Sequence, residues 1–511
     1  MDSQSSLVIL FVFLLPFILL HLIKQRKKSS ASQERRLPPG PRRLPLIGNL
    51  HKLSNGLPHH VLEHLALQYG PLMFLQLGSI STLVVSSAHM AREIFKTHDL
   101  VFSGRPVLYV AKKLSYGCVN LSFAPYGEYW REMRKIVILE LLSAKRVQMF
   151  QSVRDEEVGL MLDSIAHSKG LINLTQLTLF LANNVLCHSA FGKKYDDGEG
   201  IGKSRIHGLL EETRALLGGF FLSDFLPWLS WLNKFNGLEK KVEKCFKGLD
   251  NFYDRVIEEH LDPRRPKPEH EDLVDVLLRV QRDPSQAIPL SNDQIKGVLT
   301  DMFIAGTDTS SATLVWTMAE LIRNPLVLRK AQDEVRGVLK GKAKVEESDL
   351  SELMYLKLVL KESFRLHPAV PLLVPRETLK SCTIEGYEIP TTTMVFIHAK
   401  MIGKDPECWE NPNEFWPERF LDSSIDYKGN HFQLLPFGAG RRGCPGISFS
   451  VKLIELALAN LLYRFDWELP RGVRREDLDM EDAAGLSVSK KVPLFLAAKP
   501  VHPSLTSYVA Q

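Results

Sequence analysis

Apolar positions recur at three- and four-residue intervals along much of the chain. Gln151–Ser168, Gly237–His260, Asp293–Ile322, Leu326–Leu339 and Leu350–Leu366 all carry this period. On an α-helix it gathers the apolar side chains onto one face. Ile447–Leu462 follows the same pattern. Short apolar or alternating runs at Leu72–Leu77, Thr82–Ser86, Thr383–Ile384 and Thr393–Ile397 predict strands. The expectation is a mainly α fold with small β-sheets (α+β). Asp262–Asp272 reads DPRRPKPEHED, a charged, proline-rich loop rather than a required domain boundary. No internal repeat interrupts this pattern.

One apolar run has no period. Leu7–Ile23 (LVILFVFLLPFILLHLI) is uncharged and is followed by Lys24-Gln25-Arg26-Lys27-Lys28. A spanning helix needs about 20 apolar residues, with a lower limit near 17, and membrane helices tolerate a proline such as Pro16. A cleaved signal would carry its positive charge before the run and a small-residue site after it; neither is present. The run reads as a single-pass anchor whose basic end stays cytosolic. Pro38-Pro39-Gly40-Pro41 and Pro45 cannot join a helix or a central strand and form a stiff spacer. The expected organisation is a tail at 1–6, the anchor at 7–23, a basic and proline-rich linker at 24–45 and one catalytic domain at 46–511. Anchors of this kind suggest the endoplasmic reticulum membrane, with the body in the cytosol.

Composition narrows the chemistry. The 511 residues are 45% hydrophobic and 24% charged, the balance of a globular protein with ample core. A formal charge of +5, from 64 basic and 59 acidic residues, is too mild for a nucleic-acid partner, and no basic block interleaves with aromatics. The six cysteines, Cys118, Cys187, Cys245, Cys382, Cys408 and Cys444, are scattered without a C-x-x-C spacing. This disfavours disulfides and structural zinc. Only Cys444 sits in an unusual setting.

Phe437–Gly446 reads FGAGRRGCPG. Gly438, Gly440 and Gly443 allow turns closed to other residues and a close backbone approach to a flat ligand. Such a loop can aim N–H groups at a buried thiolate. The helical segment that follows puts its positive end near Cys444, which lowers a thiol pKa. The plainer reading is a glycine-rich loop with an incidental cysteine. The string resembles the cytochrome P450 signature F-x-x-G-x-R-x-C-x-G at every fixed position. That resemblance implies a haem b cofactor (iron protoporphyrin IX) with Cys444 as axial iron ligand, Arg442 near a haem propionate, and Phe437 and Gly438 beside the ring.

Other motifs extend the resemblance over the whole chain. Ala305-Gly306-Thr307-Asp308-Thr309-Ser310 is similar to the family's oxygen-handling helix motif. Gly306 costs a helix about 1 kcal/mol relative to alanine, tolerable where the backbone must pass close to a ligand. The resemblance implies that Thr309 hydrogen-bonds dioxygen and that Asp308 supplies protons through water, with Ala305 and Gly306 over the ring. Ordinary Ser/Thr back-bonding is the alternative. Glu362-Ser363-Phe364-Arg365 places two charges on one helix face, and Pro417-Glu418-Arg419-Phe420 offers a third; the family pattern implies one buried network of Glu362, Arg365 and Arg419. Trp130 and Arg134, one helical turn apart, and Arg376 resemble propionate contacts. YGEYWREMRK, ELLSAKRV and ESFRLHP point to the plant A-type group, the 71 clan. One departure lies in FIHAKMIGKD, where relatives more often show Asn and Trp in place of His398 and Lys400.

By family position the substrate pocket would draw on Val370, Leu373, Leu486, Phe220 and Met302. These are mostly apolar, which suits a small lipophilic molecule. The implied activity is monooxygenation of a terpenoid, alkaloid, phenylpropanoid or amino-acid-derived plant metabolite. Dioxygen is the oxidant, and electrons come from NADPH through membrane-bound NADPH–cytochrome P450 reductase. Two alternatives remain at this point: a haem–thiolate lyase dehydrating an aldoxime, which needs no oxygen insertion, and a non-catalytic haem sensor, which would not need the proton-delivery motif.

Overall fold

A computed structural model describes residues 36–501 except 55, 195–204, 267, 269, 287 and 340. The tail, the anchor expected at 7–23 and the linker up to residue 35 lie outside the described residues. Among the described residues no single helix is long and apolar enough to cross a membrane. The longer helices are α1 (Pro58–Tyr69), α2 (Glu128–Ile136), α3 (Gln151–His167), α4 (Leu174–Phe191), α5 (Arg205–Leu217), α6 (Leu238–Leu261), α7 (Leu273–Arg282), α8 (Asn292–Arg323), α9 (Pro325–Val338), α10 (Met354–Leu366) and α11 (Ile447–Arg464).

Local chemistry sets several of these ends. Ser291 and Gln294 form a reciprocal capping box at the start of α8. Pro325 opens α9, where its missing N–H is not needed. The segment expected to be helical from Leu350 begins α10 only at Met354, after a 3-10 turn at Asp349–Ser351. The Glu334 carboxylate of α9 accepts from the N–H groups of Tyr355 and Leu356, at 2.6 and 2.9 Å, and so caps the helix there. The α4 sequence, LTQLTLFLANNVLCHSAF, is apolar on more than one face because α4 packs into the main core. Its period was correspondingly weak.

The strands are short. Strands β1 (Leu72–Leu77) and β2 (Ile80–Val85) form an antiparallel hairpin, and β2 runs parallel to β7 (Met394–Ile397), which pairs with β4 (Arg376–Glu377). Strand β3 (Ile172–Asn173) pairs with β9 (Phe495–Pro500), which also pairs with β8 (Phe465–Glu468); β5 (Cys382–Ile384) and β6 (Tyr387–Ile389) form a separate pair. Leu72 and Phe74 enter one core cluster while Met73, Leu75 and Leu77 enter another, the two-residue alternation of a sheet buried on both faces. The described part of the proline-rich stretch lies on the body: the Phe74 N–H donates to Pro39 O and the Glu388 N–H to Arg36 O. Residues 36–45, read from sequence as linker, are therefore docked on the sheet.

Helix α8 runs through the main core beside α4 and α11. A Cβ at Gly306 would fall 2.9 Å from Leu186 Cδ1 on α4. The glycine thus answers to helix packing as well as to the cavity that it lines.

Candidate functional site

The loop Phe437–Gly446 leads into α11, with Gly446 at its cap. Gly438 and Gly440 take φ of +65° and +66°, a region that disfavours any side chain. The Gly443 N–H donates to Gly440 O and the Cys444 N–H to Phe437 O, both at 3.0 Å, closing the turn. A Gly446 backbone N–H donates to the Cys444 sulfur. Cys444 opens onto an internal cavity but is enclosed by protein. Burial pushes its thiol up and outweighs the Gly446 N–H and the nearby Arg134. The Gly446 N–H at the helix end favours the thiolate, as expected from the sequence, while desolvation of the anion opposes it. A thiolate here needs a directly bonded cation, which deprotonates a coordinating thiol outright.

The cavity runs from Cys444, Phe437, Gly438 and Arg442 on the loop to Met302, Ala305, Gly306 and Thr309 on α8, with Trp130, Arg134, Arg376, Val370 and Leu373 between. Four arginines line it: Arg105, Arg134, Arg376 and Arg442. Arg442 donates to the carbonyls of Ser103, Leu121 and Ala124, and Arg105 to those of Ser122, Val374 and Pro375. Arg134 donates to Gly443 O at 2.8 Å, while Arg376 reaches Ala439 O and the Asp99 carboxylate. The Trp130 indole N–H donates to Leu121 O, and its ring lies 4.2 Å from the Arg442 guanidinium carbon and 5.4 Å from that of Arg134.

Burial and then the neighbouring arginines lower the pKa of Arg442, and burial together with Arg442 and Arg376 lowers that of Arg105. The cluster is positive beyond what Asp99 and Asp301 balance, so it calls for a buried anionic ligand. A mainly apolar cavity lined by a cysteine thiol and by excess guanidinium charge fits haem b and its two propionates. Arg105 was not singled out from the sequence, because it stands outside every quoted motif. Only the fold brings it to the rim.

On α8 the Thr309 hydroxyl donates to Ala305 O at 2.7 Å and faces the cavity. Asp308 does not line the cavity. It turns toward α5, where Arg214 Nη1 stands 3.6 Å from Oδ1, and its buried Oδ2 has no partner among the described residues. Burial pushes the Asp308 carboxyl up to about 6, against Arg214, with Glu211 adding to the rise. Asp301 is tied differently: its carboxylate accepts from Asn120 Nδ2 and from the N–H groups of Leu121 and Ser122, holding the loop whose carbonyls bind Trp130, Arg105 and Arg442. This organising role was not visible in the sequence.

Behind the cysteine loop, Glu362 and Arg365 are fully buried and joined by two bonds of 2.7 Å, and Arg419 Nε reaches Glu362 Oε1 at 3.0 Å. Arg365 also donates to the carbonyls of Gly403, Pro412 and Glu414, so the charge is satisfied throughout. Phe364, between Glu362 and Arg365 in sequence, meets Phe437 edge-on at 5.2 Å and ties this scaffold to the loop.

Met302, Val370 and Leu373 line the main cavity. Leu486 and Phe220 do not. Leu486 lines the chamber above Thr309 and a side cavity near α1; Phe220 lines only the side cavity, stacked on Phe225 at 5.2 Å. The fold brings Phe220 against Phe225 and against Phe396 of β7, outside the cavity that Cys444 lines. His398 and Lys400 lie away from the main cavity as well. His398 bonds His59 O at 2.8 Å, and Lys400 pairs with Asp482, which also accepts from His59 at 2.8 Å.

The cytochrome P450 family model matches residues 38–496. The chain is a cytochrome P450. It is 61% identical to cytochrome P450 71A9 of Glycine max over 96% of this chain and 98% of that one. It is 56% identical to the strychnine-11-hydroxylase of Strychnos nux-vomica over 98% and 99%. Among solved structures, a zebrafish cytochrome P450 with abiraterone is similar, with a TM-score of 0.71 and 26% identity, over 87% of this chain and 100% of that one. This P450 is a member of the plant 71 clan, a haem b enzyme of the monooxygenase class.

Proposed function

We propose that this P450 inserts one oxygen atom of dioxygen into a small lipophilic plant specialised metabolite: a terpenoid, alkaloid, phenylpropanoid or amino-acid-derived compound. Electrons come from NADPH through a membrane-bound reductase that approaches the cysteine-loop side. The observation that carries this reading is that Cys444 and Thr309, from the loop and from α8, line one cavity together with four arginines. Bound there, haem supplies the activation of dioxygen.

The chain's own residues do the rest. Cys444 would hold the iron. Arg105, Arg134, Arg376 and Arg442 would hold the propionates, with the Trp130 ring packed against Arg442 and Arg134. Phe437, Gly438, Ala305 and Gly306 would lie against the ring. Thr309 donates to Ala305 O and keeps its oxygen lone pair open to the cavity as a proton-relay acceptor, and Asp308 holds a proton for transfer through water. Glu362, Arg365 and Arg419 brace the loop. Met302, Val370 and Leu373 orient the substrate and exclude water, while Leu486 and Phe220 shape its approach. Residues 7–23 form a single-pass anchor in the endoplasmic reticulum membrane, after the tail at 1–6, and 46–511 form the cytosolic catalytic domain.

The test compares wild type with Cys444→Ser. The reduced carbon-monoxide difference spectrum of wild type should show the long-wavelength Soret band of a thiolate ligand, and Cys444→Ser should lose it. With reductase, NADPH and labelled dioxygen, a panel of plant metabolites should yield a product carrying one label. Folded, haem-loaded wild type without that band would sink the reading. Turnover of an aldoxime without label would replace it with the lyase.

A further inference from the structure

The chamber above Thr309 has mainly apolar walls, from Ala111, Leu114, Leu217, Ile304, Val370 and Leu486. Among the described residues two charged side chains reach it, Asp301 and Arg214. They differ in what they have left to offer. Asp301 already accepts three hydrogen bonds from the Asn120–Ser122 loop, at 2.7, 2.6 and 3.2 Å. Its oxygens are committed to the fold.

Arg214, on α5, is committed through one nitrogen only. Its Nη1 donates to Ser489 Oγ at 3.1 Å. The same atom stands 3.6 Å from Asp308 Oδ1, too far for a hydrogen bond. Nε and Nη2 make no bond to a described residue. The side chain is 29% exposed. A guanidinium is a planar fork with five donors, so one edge of this fork remains available at an apolar chamber. Partial desolvation strengthens a charge-assisted bond made there.

We propose that Arg214 is a specificity-determining residue of this P450 that binds a substrate oxygen carrying negative charge, a carboxylate in the simplest case. The inference rests on the monooxygenase reading and narrows its substrate class. The Nε–Nη2 edge takes the carboxylate in a forked pair while the apolar body of the molecule lies against Leu217, Ile304 and Val370. The far end of the molecule then points down toward Thr309. A protonated amine at the same place meets a cation and is excluded. Acidic, lipophilic metabolites are therefore favoured over protonated alkaloids.

The experiment uses the full-length, haem-loaded chain in nanodiscs. Three probes share one skeleton: 4-phenylbutanoate, its methyl ester and 3-phenylpropyltrimethylammonium, which cannot ligate iron. Binding is read from the Soret shift. The carboxylate should bind at least about tenfold more tightly than the ammonium probe, as one charge-assisted bond allows. Arg214→Gln should erase that preference, and Arg214→Lys should keep part of it. Arg214→Met, which keeps the apolar stem, repeats the test should the glutamine variant not fold. A carboxylate that binds no more tightly than the ammonium probe in wild type overturns the proposal, as does a preference that survives the loss of charge at 214. The thiolate-type carbon-monoxide band is recorded for every protein. Its absence from wild type is a failure of the functional reading; its presence without the carboxylate preference is a failure of this inference alone.

Discussion

The two walls of the cavity are built from different materials. Behind the cysteine loop the bracing charges are matched. Glu362, Arg365 and Arg419 are buried and fully bonded, and Phe364 passes that rigidity to Phe437. On the α8 side the charges are loosely held. Arg214 and Asp308 face each other at 3.6 Å, and Asp308 Oδ2 has no partner among the described residues. A buried, satisfied network resists change because removing one member strands the others. A loose pair can give up one partner at little cost. The difference suits a ligand-holding wall on one side and a substrate- and proton-handling wall on the other.

Changes at the sulfur side should therefore be severe, and changes at α8 graded. The largest effect belongs to Cys444→Ser, which should abolish the thiolate-type spectrum and all turnover while leaving the helical content measured by circular dichroism. Glu362→Gln comes next. It leaves two buried guanidinium groups facing a neutral amide, and it should cost about 3–5 kcal/mol. The check is chemical denaturation together with the yield of haem-loaded protein; a wild-type yield would show that the sulfur side is not the rigid one.

Thr309→Ala should be milder for folding and marked for chemistry. Its hydroxyl bonds only its own helix at Ala305 O. Product formed per NADPH consumed should fall by about tenfold or more, which the roughly hundredfold contribution of a positioned proton-transfer group readily allows. Unchanged coupling would remove Thr309 from the proton path.

Asp308 gives a pH test. Burial raises its carboxyl to about 6, with Arg214 opposing and Glu211 assisting. The fold favours the protonated form. Its contribution to stability is thus complete below the ordinary carboxylate range and is lost as pH rises through about 6. Coupling of NADPH to product should fall over the same window, and Asp308→Asn should flatten both curves. Parallel melting and coupling curves for the two proteins would check this.

The smallest effect is expected at Gly306→Ala. Alanine gains about 1 kcal/mol of helix propensity, while the new Cβ would meet Leu186 Cδ1 at 2.9 Å. The opponent is the end of a flexible side chain, so the two effects nearly cancel in thermal stability. A large loss would show that α4 and α8 are packed more rigidly than their partners suggest.

Much of the sulfur side was legible in the chain because its chemistry is contiguous. Ten successive residues, Phe437–Gly446, carry Cys444, the proposed ligand, and the turns that present it. Glu362 and Arg365 are one helical turn apart, and Trp130 and Arg134 another. Local spacing decides such features, and local spacing is what a sequence displays. The long α8 and the hairpin of β1 and β2 were legible from continuous apolar runs of helix length and strand length.

What the tertiary structure decided concerns groups distant in sequence. Arg105 joins Arg442 across more than three hundred residues only because both donate to carbonyls of the Leu121–Ala124 loop. Phe220 leaves the main cavity because it stacks on Phe225 and on Phe396 of β7. His398 and Lys400, which looked like anomalies in a motif, are parts of a buried node with His59 and Asp482. Whether a thiol is raised or lowered depends on how much water surrounds it, and whether an arginine is spent or available depends on which carbonyls the fold brings within reach. The sequence by itself determined the loop and the turns that present Cys444. Only the packing decided which charges around it are committed and which, like Arg214, remain open to a ligand.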